Sequence, residues 1–479
     1  MGLIAPFSHD PDGFVWAGGI EDTFVAHPHP RSGRGLDEYL LTGHYAHWRA
    51  DLDRAASLGV RALRYGIPWY RVNPAPGVFD WTWTDPVIAY AATELGLTLI
   101  LDLVHYGTPA WLDNGFLNHG YAEAVASYAR AVAERYGDRV RWYTPLNEPL
   151  ITAEFCGLHG IWPPHLRGGD GFVRILDQVC RGIVATTDAL RAVDPTFGIA
   201  HVECSVLYHG EAGLAADGAS HWQARAWLPG DLLTGRVDAD HSLAVWLEGC
   251  GLGPERWAWY AERPFAPDLW GVNYYPEISV HHVAGADGAA RGRNDDAWTG
   301  GLDDLMRATY DRYGVPLFVS ETSTHGDDAR RSAWLHDSVA AIGRARADGV
   351  PVLGYTWWPL LDLIDWSYGA GDHLVEDFIA RLDSPSAGPN VHGPDAFAHA
   401  MGWDEARSQP LDRYLRRMGL WRLTGDGADG FTRLETSTAA AYRAIIREGI
   451  TAHIARYAAP IADARAPREP HTSGRSDAG

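Results

Sequence analysis

The sequence is poor in basic residues for its size. In 479 residues there are 40 Lys and Arg against 61 Asp and Glu, a formal net charge of -21. Nucleic-acid binding depends on clustered Lys and Arg that neutralise phosphates. We therefore expect no nucleic-acid partner, and phosphorylated substrates are also disfavoured.

Cysteine is scarce as well. The four cysteines, at positions 156, 180, 204 and 250, show neither close pairing nor the spacing of a metal site. In a chain this long such residues are most simply buried thiols, and a reducing compartment fits them.

Long apolar runs are missing. No uninterrupted stretch is long enough to span a bilayer. The first residues, MGLIAPFSHDPDG, contain no basic segment and no apolar run of the length that a signal peptide needs. We expect a soluble, cytoplasmic protein with no membrane partner.

Several catalytic signatures are also absent from the sequence. It contains no H-E-x-x-H or clustered His motif and no G-x-S-x-G elbow. The glycine patterns that bind nucleotide phosphates, G-x-G-x-x-G after a strand and G-x-x-x-x-G-K, are missing too. These absences argue against zinc-dependent, serine-hydrolase and nucleotide-dependent chemistry.

Aromatic residues, in contrast, are abundant. The chain has 21 Trp and 21 Tyr, and 46% of its residues are hydrophobic. Many of these rings must fill the core, but a surplus of Trp also suits exposed faces that stack on apolar ligand surfaces.

Short apolar runs alternate with amphipathic segments, which is typical of repeated βα units. Eight strands are predicted, at 14–18, 61–65, 98–103, 141–144, 197–202, 269–273, 316–320 and 352–357. The clearest helix is predicted over 121–136, where apolar residues recur at steps of three and four. Eight strands are the number that a closed (β/α)8 TIM barrel needs.

No Gly/Ser linker or short repeat divides the chain. We predict one barrel domain over residues 1–459, with elongated loops on the active-site face. The stretch 370–417 follows the eighth strand with weak periodicity and is predicted to be a long loop there. Residues 460–479, rich in Ala, Arg, Pro, Ser and Gly, are predicted to form a disordered tail.

Chemistry in such barrels gathers at the carboxyl ends of the strands. The polar and aromatic residues predicted there are Arg64, Asp102, His105, Asn147, Glu148, Asn273, Tyr274, Tyr275, Glu321, Trp358, Asp365 and Trp366. Among them Glu148 and Glu321 form a candidate pair of carboxyl groups. Such a pair suits glycosidic bond cleavage, in which one group protonates the leaving oxygen and the other attacks or stabilises the anomeric carbon.

Each of these residues could also have a purely structural role. Glu148 lies in the segment TPLNEP, where the proline should hold the backbone in a defined bend. In isolation it could be a solvated residue at a strand end. Arg64 could belong to an ion pair of the barrel, His105 could be a core histidine, and the tryptophans could be packing residues.

Six segments together resemble glycoside hydrolase family 1, the retaining β-glucosidase and β-galactosidase family. They are LRYGIPWYR at 63–71, LVHYGTPAWL at 103–112, TPLNEP at 144–149, GVNYYP at 271–276, PLFVSET at 316–322 and GYTWWPLLDLIDWSYG at 354–369. Each segment alone is weak, but their order and intervals follow the family.

The resemblance implies roles for the matching residues. Glu148 would be the acid/base and Glu321 the nucleophile. Asn147 would bind the sugar 2-hydroxyl, and Arg64 and Tyr275 would hold the nucleophile. The remaining site residues would contact the sugar or line its pocket, with Asp365 and Trp366 binding its outer hydroxyls; they are Asn273, His105, Trp358, Asp365 and Trp366.

The sequence departs from the family around the sugar. Where the family has a Gln after the first strand, this chain reads Gly19-Ile-Glu-Asp-Thr-Phe24, and Glu21 or Asp22 could substitute. The family's Glu before Trp is Asp365, which is one methylene shorter. The Ser after the strand-eight Trp is replaced by Pro359, and the Asn-Gly after the nucleophile by Thr322-Ser323. We therefore expect the reaction class to be kept and the sugar preference to be altered.

The expected function is hydrolysis of a neutral β-glycoside, such as a β-glucoside, β-galactoside or β-fucoside, through a covalent glycosyl-enzyme. The substrate would be a small molecule or an oligosaccharide, and no metal or organic cofactor is implied. A transglycosidase that passes the sugar to an alcohol acceptor is an alternative. An inactive sugar-binding protein is a third reading, which the intact pair of glutamates argues against.

Overall fold

We analysed a computed structural model of the protein. It describes residues 13–30, 32–210, 215–284, 290–370, 411–427 and 430–464. The central part of the predicted loop, at 371–410, and the end of the predicted tail, at 465–479, lie outside the described residues.

Eight parallel strands form a closed barrel, in which each strand pairs with its neighbours in sequence and the first pairs with the last. They are β1 Val15–Gly19, β2 Ala62–Gly66, β3 Thr98–Asp102, β4 Trp142–Thr144, β5 Gly198–Cys204, β6 Leu269–Tyr274, β7 Leu317–Thr322 and β8 Val352–Trp357. The predicted (β/α)8 fold is therefore confirmed. The predicted strand ends differ from the observed ones by at most two residues, because apolar runs mark burial more closely than they mark the ends of strand pairing.

Helices connect the strands and cover the barrel. The main ones are α1 His44–Ser57, α2 Thr84–Ala89, α3 Tyr121–Tyr136, α4 Gly168–Val193, α5 Ala215–Leu233, α6 Trp298–Tyr313, α7 Asp328–Ala347 and α8 Ser437–Glu448. Shorter helical segments are Glu38–Leu41, Trp69–Val72, Tyr90–Glu94, Gly115–Leu117, Pro149–Ala153, Glu154–Leu158, Ala244–Gly249, Pro254–Ala261, Pro276–Ile278, Ser367–Ala370 and Leu411–Tyr414. A last helix covers Ile450–Ala464.

Helix α3 shows why these segments fold as they do. Its residues Val125, Tyr128, Val132 and Tyr136 recur at steps of three and four and are fully buried. One apolar face therefore packs against the barrel, and the sequence periodicity predicted both ends of the helix correctly.

Small side chains and a few large ones fill the lumen of the barrel. Alternate positions of successive strands point inward and form one buried cluster of Val15, Ala17, Ala62, Ile100, Trp142, Ala200, Leu269 and Phe318. A second and larger apolar layer lies between the strands and the helices. The lumen is thus packed below the carboxyl ends of the strands, which leaves polar residues to occupy the ends themselves.

Smaller sheets surround the barrel. Tyr208–Gly210, Ser279–Ala284 and Ala290–Asp295 form one sheet, and Trp421–Gly427 pairs with Gly430–Glu435. Phe24–Val25 pairs with Leu36–Asp37. The end of the predicted loop at 370–417 is partly regular, because Leu415–Arg416 pairs with Leu363–Ile364.

The last helix runs through residue 460, where the sequence predicted the tail to begin. All four cysteines are free thiols, three of them buried, as predicted. Among the described helices, none combines the length and apolarity needed to cross a bilayer.

Candidate active site

The alternation of side chains along the strands brings the predicted charged residues to the lumen. Arg64 and Asp102 stand two positions after Ala62 and Ile100, which belong to the lumen cluster. Because alternate residues of a strand point to the same face, both charged side chains continue the inner row at its carboxyl end. Both are fully buried.

The backbone at Glu148 makes the bend that the sequence predicted. Glu148 has φ 48° and ψ 71°, in the left-handed region that a residue with a side chain rarely adopts. Its amide donates to the Val202 carbonyl of β5 at 3.1 Å. Pro149 then opens the short helix Pro149–Ala153, because proline fits the first position of a helix. The bend turns Glu148 into the site while its backbone stays tied to the barrel.

Glu321 near the end of β7 lies between two donors. Arg64 Nη1 donates to Glu321 Oε1 at 2.7 Å, and the Tyr275 hydroxyl donates to Glu321 Oε2 at 2.8 Å. The pairing of β7 with β6 shifts register between Val319 and Glu321, which places Glu321 opposite Asn273. A guanidinium and a phenol hydroxyl on its two oxygens stabilise a carboxylate ready to act as a nucleophile.

Glu148 lies in a different environment. Asn273 Nδ2 donates to its Oε1 at 2.8 Å, and the Tyr106 hydroxyl donates to its Oε2. Burial and the charge of Glu321 raise the pKa of Glu148 to about 7, against the lowering effects of Tyr106, Asn273 and His105. The carboxyl group can therefore hold a proton near neutral pH, as a general acid must.

Asn147 and His105 join the two glutamates through a buried network. Arg64 Nη2 donates to Asn147 Oδ1 at 3.0 Å, and Asn147 Nδ2 lies 3.3 Å from His105 Nε2. His105 Nδ1 contacts Asp102 Oδ2 at 3.0 Å. Burial lowers the pKa of His105, but the hydrogen bond and charge of Asp102 outweigh it and raise that pKa overall.

Glu21 and Asp22, the two candidates to substitute for the family's Gln, lie in different environments. The Glu21 carboxyl is fully buried, 2.7 Å from Arg64 Nη1, so Arg64 faces three carboxyl groups: Glu21, Asp102 and Glu321. Burial raises the pKa of Glu21 well above its usual range. Asp22 keeps 7% of its surface exposed, and burial raises its pKa to about 7 against the lowering effect of His105.

The predicted sugar-contacting tryptophans lie at the edge of this network. Trp358 Nε1 donates to the Glu21 carbonyl at 2.8 Å, and Trp366 Nε1 donates to Thr23 Oγ1 at 3.0 Å. These two bonds hold the segment 21–23 between the indole rings.

Asp365 is fully buried and bound by protein groups. Its Oδ1 accepts from the Ser367 amide at 2.9 Å and from the Ser367 hydroxyl at 2.6 Å. Its Oδ2 lies 3.6 Å from Arg416 Nε, and Arg416 follows the stretch outside the described residues. Asp365 thus has Oδ1 hydrogen-bonded to Ser367 and Oδ2 close to Arg416.

Four aromatic rings form one wall of the site. Trp162 lies 4.9 Å from Tyr106, 4.6 Å from Phe155 and 5.1 Å from Trp366 between ring centroids. Phe155 and Trp366 are partly exposed, whereas Tyr106 and Trp162 are buried. The wall presents apolar ring surface next to the acid/base candidate, as a sugar or aryl ligand requires.

Sequence reasoning missed Tyr106 as a contact of Glu148. It lies in the segment LVHYGTPAWL beside the predicted His105, so its neighbourhood in the sequence was a usable signal. Its hydroxyl contact could not be read from the sequence, since tyrosine is also a common core residue. All of the predicted site residues lie at or beside the carboxyl end of the barrel.

The described residues contain no group of three or more His, Cys, Asp or Glu side chains arranged to hold a metal ion.

A closed (β/α)8 barrel with two buried glutamates in opposed environments at its carboxyl end defines the class of barrel glycoside hydrolases. The comparison with family models is specific: the glycosyl hydrolase family 1 model matches residues 17–215 and 268–374. The chain belongs to this family, and it is a glycoside hydrolase.

Curated relatives and solved structures agree with this assignment. Thermostable β-glucosidase B of Thermobispora bispora is 26% identical over 75% of this chain and 84% of its own length. A bifunctional β-D-glucosidase/β-D-fucosidase of Bifidobacterium breve is 26% identical over 76% of this chain and 89% of its own. The structure of a Thermotoga maritima β-glucosidase in complex with glucoimidazole matches 91% of this chain and 98% of its own, with TM-score 0.71 and 19% identity.

Proposed function

We propose that the protein is a retaining β-glycosidase that hydrolyses a neutral β-glycoside in two displacements. In this proposal Glu321 is the nucleophile and Glu148 is the acid/base. The observation that carries it is the opposed environment of the two carboxyl groups. Arg64 and Tyr275 donate to Glu321, whereas burial and the Glu321 charge raise the pKa of Glu148 to about 7.

In the first step an oxygen of Glu321 bonds to the anomeric carbon while the bond to the leaving oxygen breaks and takes the Glu148 proton. The ester removes the charge of Glu321, and with it one of the two causes of the raised Glu148 pKa. Glu148 can then take a proton from water as the water attacks and the ester bond breaks. The same residue serves as acid and as base because its partner changes charge between the steps.

The charges around the site support a neutral sugar. Arg64 is occupied by carboxylates, His105 is paired with Asp102, and Asp22 adds a further carboxyl group that keeps some exposure. A phosphorylated sugar would meet this acidic group. The two bacterial relatives described above are named for glucoside and fucoside substrates, which makes these the first sugars to test.

Identification of the nucleophile tests the proposal directly. A 2-deoxy-2-fluoro glycoside with an activated leaving group slows both steps, and the good leaving group lets the ester form and accumulate. We expect inactivation of the enzyme and a mass increase of one fluoroglycosyl group on the peptide that contains Glu321. A label on any other residue would remove the role assigned to Glu321.

Azide rescue of two variants provides a stereochemical test of both roles. In Glu148→Ala, azide attacks the glycosyl ester and should give the β-glycosyl azide from an activated β-glycoside. In Glu321→Ala, azide enters in place of the nucleophile and should give the α-glycosyl azide. The same product from both variants, or no rescue of either, would contradict the proposal.

A panel of aryl β-glycosides then defines the sugar. Glucoside, galactoside, fucoside and a 6-phosphoglucoside are compared by kcat/KM at one pH. We expect turnover of at least one neutral sugar and none of the phosphorylated one. Preference for the phosphorylated sugar would contradict the neutral-sugar assignment and leave the catalytic roles untouched.

A further inference from the structure

Tyr106 is held in an unusual backbone conformation beside the acid/base candidate. Its φ is 68°, in the left-handed region that side-chain-bearing residues seldom adopt, and such outliers persist where the surroundings over-determine them. Its ring packs edge-on against His105 and Trp366 and at a tilt against Trp162, with centroid distances of 4.5, 5.5 and 4.9 Å. The hydroxyl position is therefore fixed by packing.

The neighbours of Tyr106 determine which way its hydroxyl hydrogen points. Arg64 has donors only, so the atom of Asn147 that meets Arg64 Nη2 at 3.0 Å must be its amide oxygen. The Asn147 nitrogen then donates to the Tyr106 oxygen at 2.9 Å. With that bond accepted, the hydrogen of Tyr106 is free to point to Glu148 Oε2.

The other carboxyl oxygen of Glu148, Oε1, is hydrogen-bonded to a group that can only donate. Asn273 Nδ2 donates to Glu148 Oε1 at 2.8 Å, and Asn273 Oδ1 is within 2.6 Å of the Ser320 hydroxyl, which can donate to it. A proton on Oε1 would face the Asn273 amide hydrogen. The acid form of Glu148 must therefore carry its proton on Oε2, the oxygen that meets Tyr106.

We propose that Tyr106 is a positioning residue that serves both protonation states of Glu148. Its hydroxyl donates to Oε2 when Glu148 is ionised and accepts from Oε2–H when Glu148 is an acid. A hydroxyl can exchange these roles by rotation, whereas an amide such as Asn273 Nδ2 can only donate. The inference rests on the proposed role of Glu148 and adds the partner that keeps its proton on one oxygen.

The proton that Glu148 gives up in the first step is replaced in the second. In the first step the Oε2 proton leaves its hydrogen bond to Tyr106 and passes to the leaving oxygen, and the Tyr106 hydrogen then turns to the ionised Oε2. In the second step a proton of the attacking water passes to Oε2, and the Tyr106 hydroxyl rotates so that its hydrogen no longer points at Oε2. Tyr106 itself gains and loses no proton, which agrees with burial raising its pKa well above the usual range.

Other ionisable groups also face Glu148, and a pH effect of Tyr106 must be separated from theirs. They are Glu321 from β7, His105 after β3, Glu203 and Cys204 from β5, and Tyr275 after β6. A Tyr106 variant leaves all five unchanged, so a difference between two pH profiles measured in parallel reports on the removed hydroxyl.

Tyr106→Phe is the test, because it keeps the ring packing and removes only the hydroxyl. With a dinitrophenyl β-glycoside the leaving group needs no acid, so the first step should keep kcat/KM within about threefold. The second step needs the base, and kcat should fall about 10- to 100-fold, within the range of general acid–base effects. Azide needs no base and should restore kcat. For a substrate with a poor leaving group, the alkaline limb of kcat/KM should move to higher pH.

Two further variants serve as controls. Tyr275→Phe removes a donor from Glu321 instead, and should lower kcat/KM for the dinitrophenyl glycoside without rescue by azide. Tyr128→Phe removes a buried hydroxyl that donates to the Ile67 carbonyl, and should leave both constants unchanged.

The outcomes separate the two proposals. If Tyr106→Phe leaves kcat unchanged, Tyr106 only packs and the inference is wrong. If the variant lowers kcat and kcat/KM equally for the dinitrophenyl glycoside, or if azide fails to restore kcat, the hydroxyl does not act through Glu148 and the inference is also wrong. If Glu148→Ala itself is not rescued by azide, the proposed function fails instead. Thermal unfolding of each variant identifies any loss caused by misfolding.

Discussion

Asn273 lies directly opposite Glu321 on neighbouring barrel strands, and its amide nitrogen donates to Glu148 at 2.8 Å. Asn273 on β6 thus pairs with Glu321 on β7 and at the same time binds the carboxyl group of Glu148. Its orientation depends in turn on Ser320, whose hydroxyl lies 2.6 Å from the Asn273 oxygen. A hydroxyl fits there because residue 271 is glycine: a Cβ at Gly271 would lie 2.4 Å from Ser320 Oγ.

Asn273→Ala should therefore alter the environment of Glu148, the proposed acid/base, and leave the donors to Glu321 in place. The Asn273 hydrogen bond lowers the pKa of Glu148, so its loss should raise that pKa and move the alkaline limb of kcat/KM to higher pH. We expect kcat/KM below the limb to fall about 10- to 100-fold, since the bond to Glu148 becomes charge-assisted as its proton leaves and such bonds contribute about 1.5 to 3 kcal/mol. Parallel pH profiles of the wild type and the variant measure both effects.

Ser320→Ala should produce a smaller change of the same sign, because it frees the Asn273 amide without removing it. Ser338→Ala is a matched control, since that buried serine bonds to the Leu335 carbonyl and the Tyr355 hydroxyl away from the site. If Asn273→Ala moves the limb to lower pH, the hydrogen bond to Glu148 is not the cause.

The pH dependence of the native enzyme should follow Glu148. Its pKa of about 7 means that the acid form is lost as pH rises, so kcat/KM for a substrate with a poor leaving group should fall above about pH 7. In the fluoroglycosyl-enzyme the charge of Glu321 is gone, and the pKa of Glu148 should drop. Reactivation in water needs ionised Glu148, so its rate should level off at a pH below 7. Reactivation that still rises steeply above pH 7 would show that the Glu321 charge does not set the Glu148 pKa.

The motif segments predicted the residues of the site better than they predicted the bonds among them. Arg64 continues the inward row of its strand, so alternation alone places it in the lumen. Glu321 faces the site only because the register shifts between Val319 and Glu321, which no alternation rule predicts. Tyr106 escaped because its contact depends on left-handed backbone at two distant residues, itself and Glu148. Asp365 approaches Arg416, which lies far along the chain, and no local pattern could pair them. The role of Asp365 toward the sugar hydroxyls stays a prediction.

Three buried carboxyl groups surround the guanidinium of Arg64. Burial opposes its ionisation, but Glu21, Glu321 and Asp102 outweigh that and raise its pKa. Arg64→Gln should leave these buried carboxyl groups without their cation, which costs about 3 to 5 kcal/mol for a buried pair. Arg64→Lys keeps the charge but cannot reach Glu321 and Asn147 together.

For Arg64→Lys we expect a loss of about 100- to 1000-fold in kcat/KM with a folded protein, and for Arg64→Gln a lowered free energy of unfolding as well. Urea unfolding and kinetics of both variants separate the two effects. Equal activity of Arg64→Lys and the wild type would mean that the fork of the guanidinium is not needed to hold Glu321.

A second buried charge cluster fastens the hairpin Trp421–Gly427 and Gly430–Glu435 to helix α1. Arg433 Nε donates to Asp51 Oδ1 at 3.0 Å, and Asp51 Oδ2 lies 3.0 Å from His44 Nδ1. Arg433 and Asp51 are almost fully buried. Arg433→Met should therefore cost about 3 to 5 kcal/mol at neutral pH, because it leaves the Asp51 carboxylate buried with one partner fewer.

The pH dependence of that loss has a definite sign. Burial raises the pKa of Asp51, but His44 and Arg433 outweigh it and lower that pKa overall. A carboxyl group whose pKa is lowered in the native state stabilises it above the unfolded pKa, about 4 for Asp, and loses this contribution as pH falls through the native pKa. The free energies of unfolding in urea of wild type and Arg433→Met should differ most near pH 7 and converge toward pH 3.

Arg443→Met, which removes a more exposed ion pair with Glu435, should cost less than about 1 kcal/mol throughout. A gap between wild type and Arg433→Met that stays constant with pH would show that packing of the arginine side chain, and not its charge on Asp51, holds the hairpin in place.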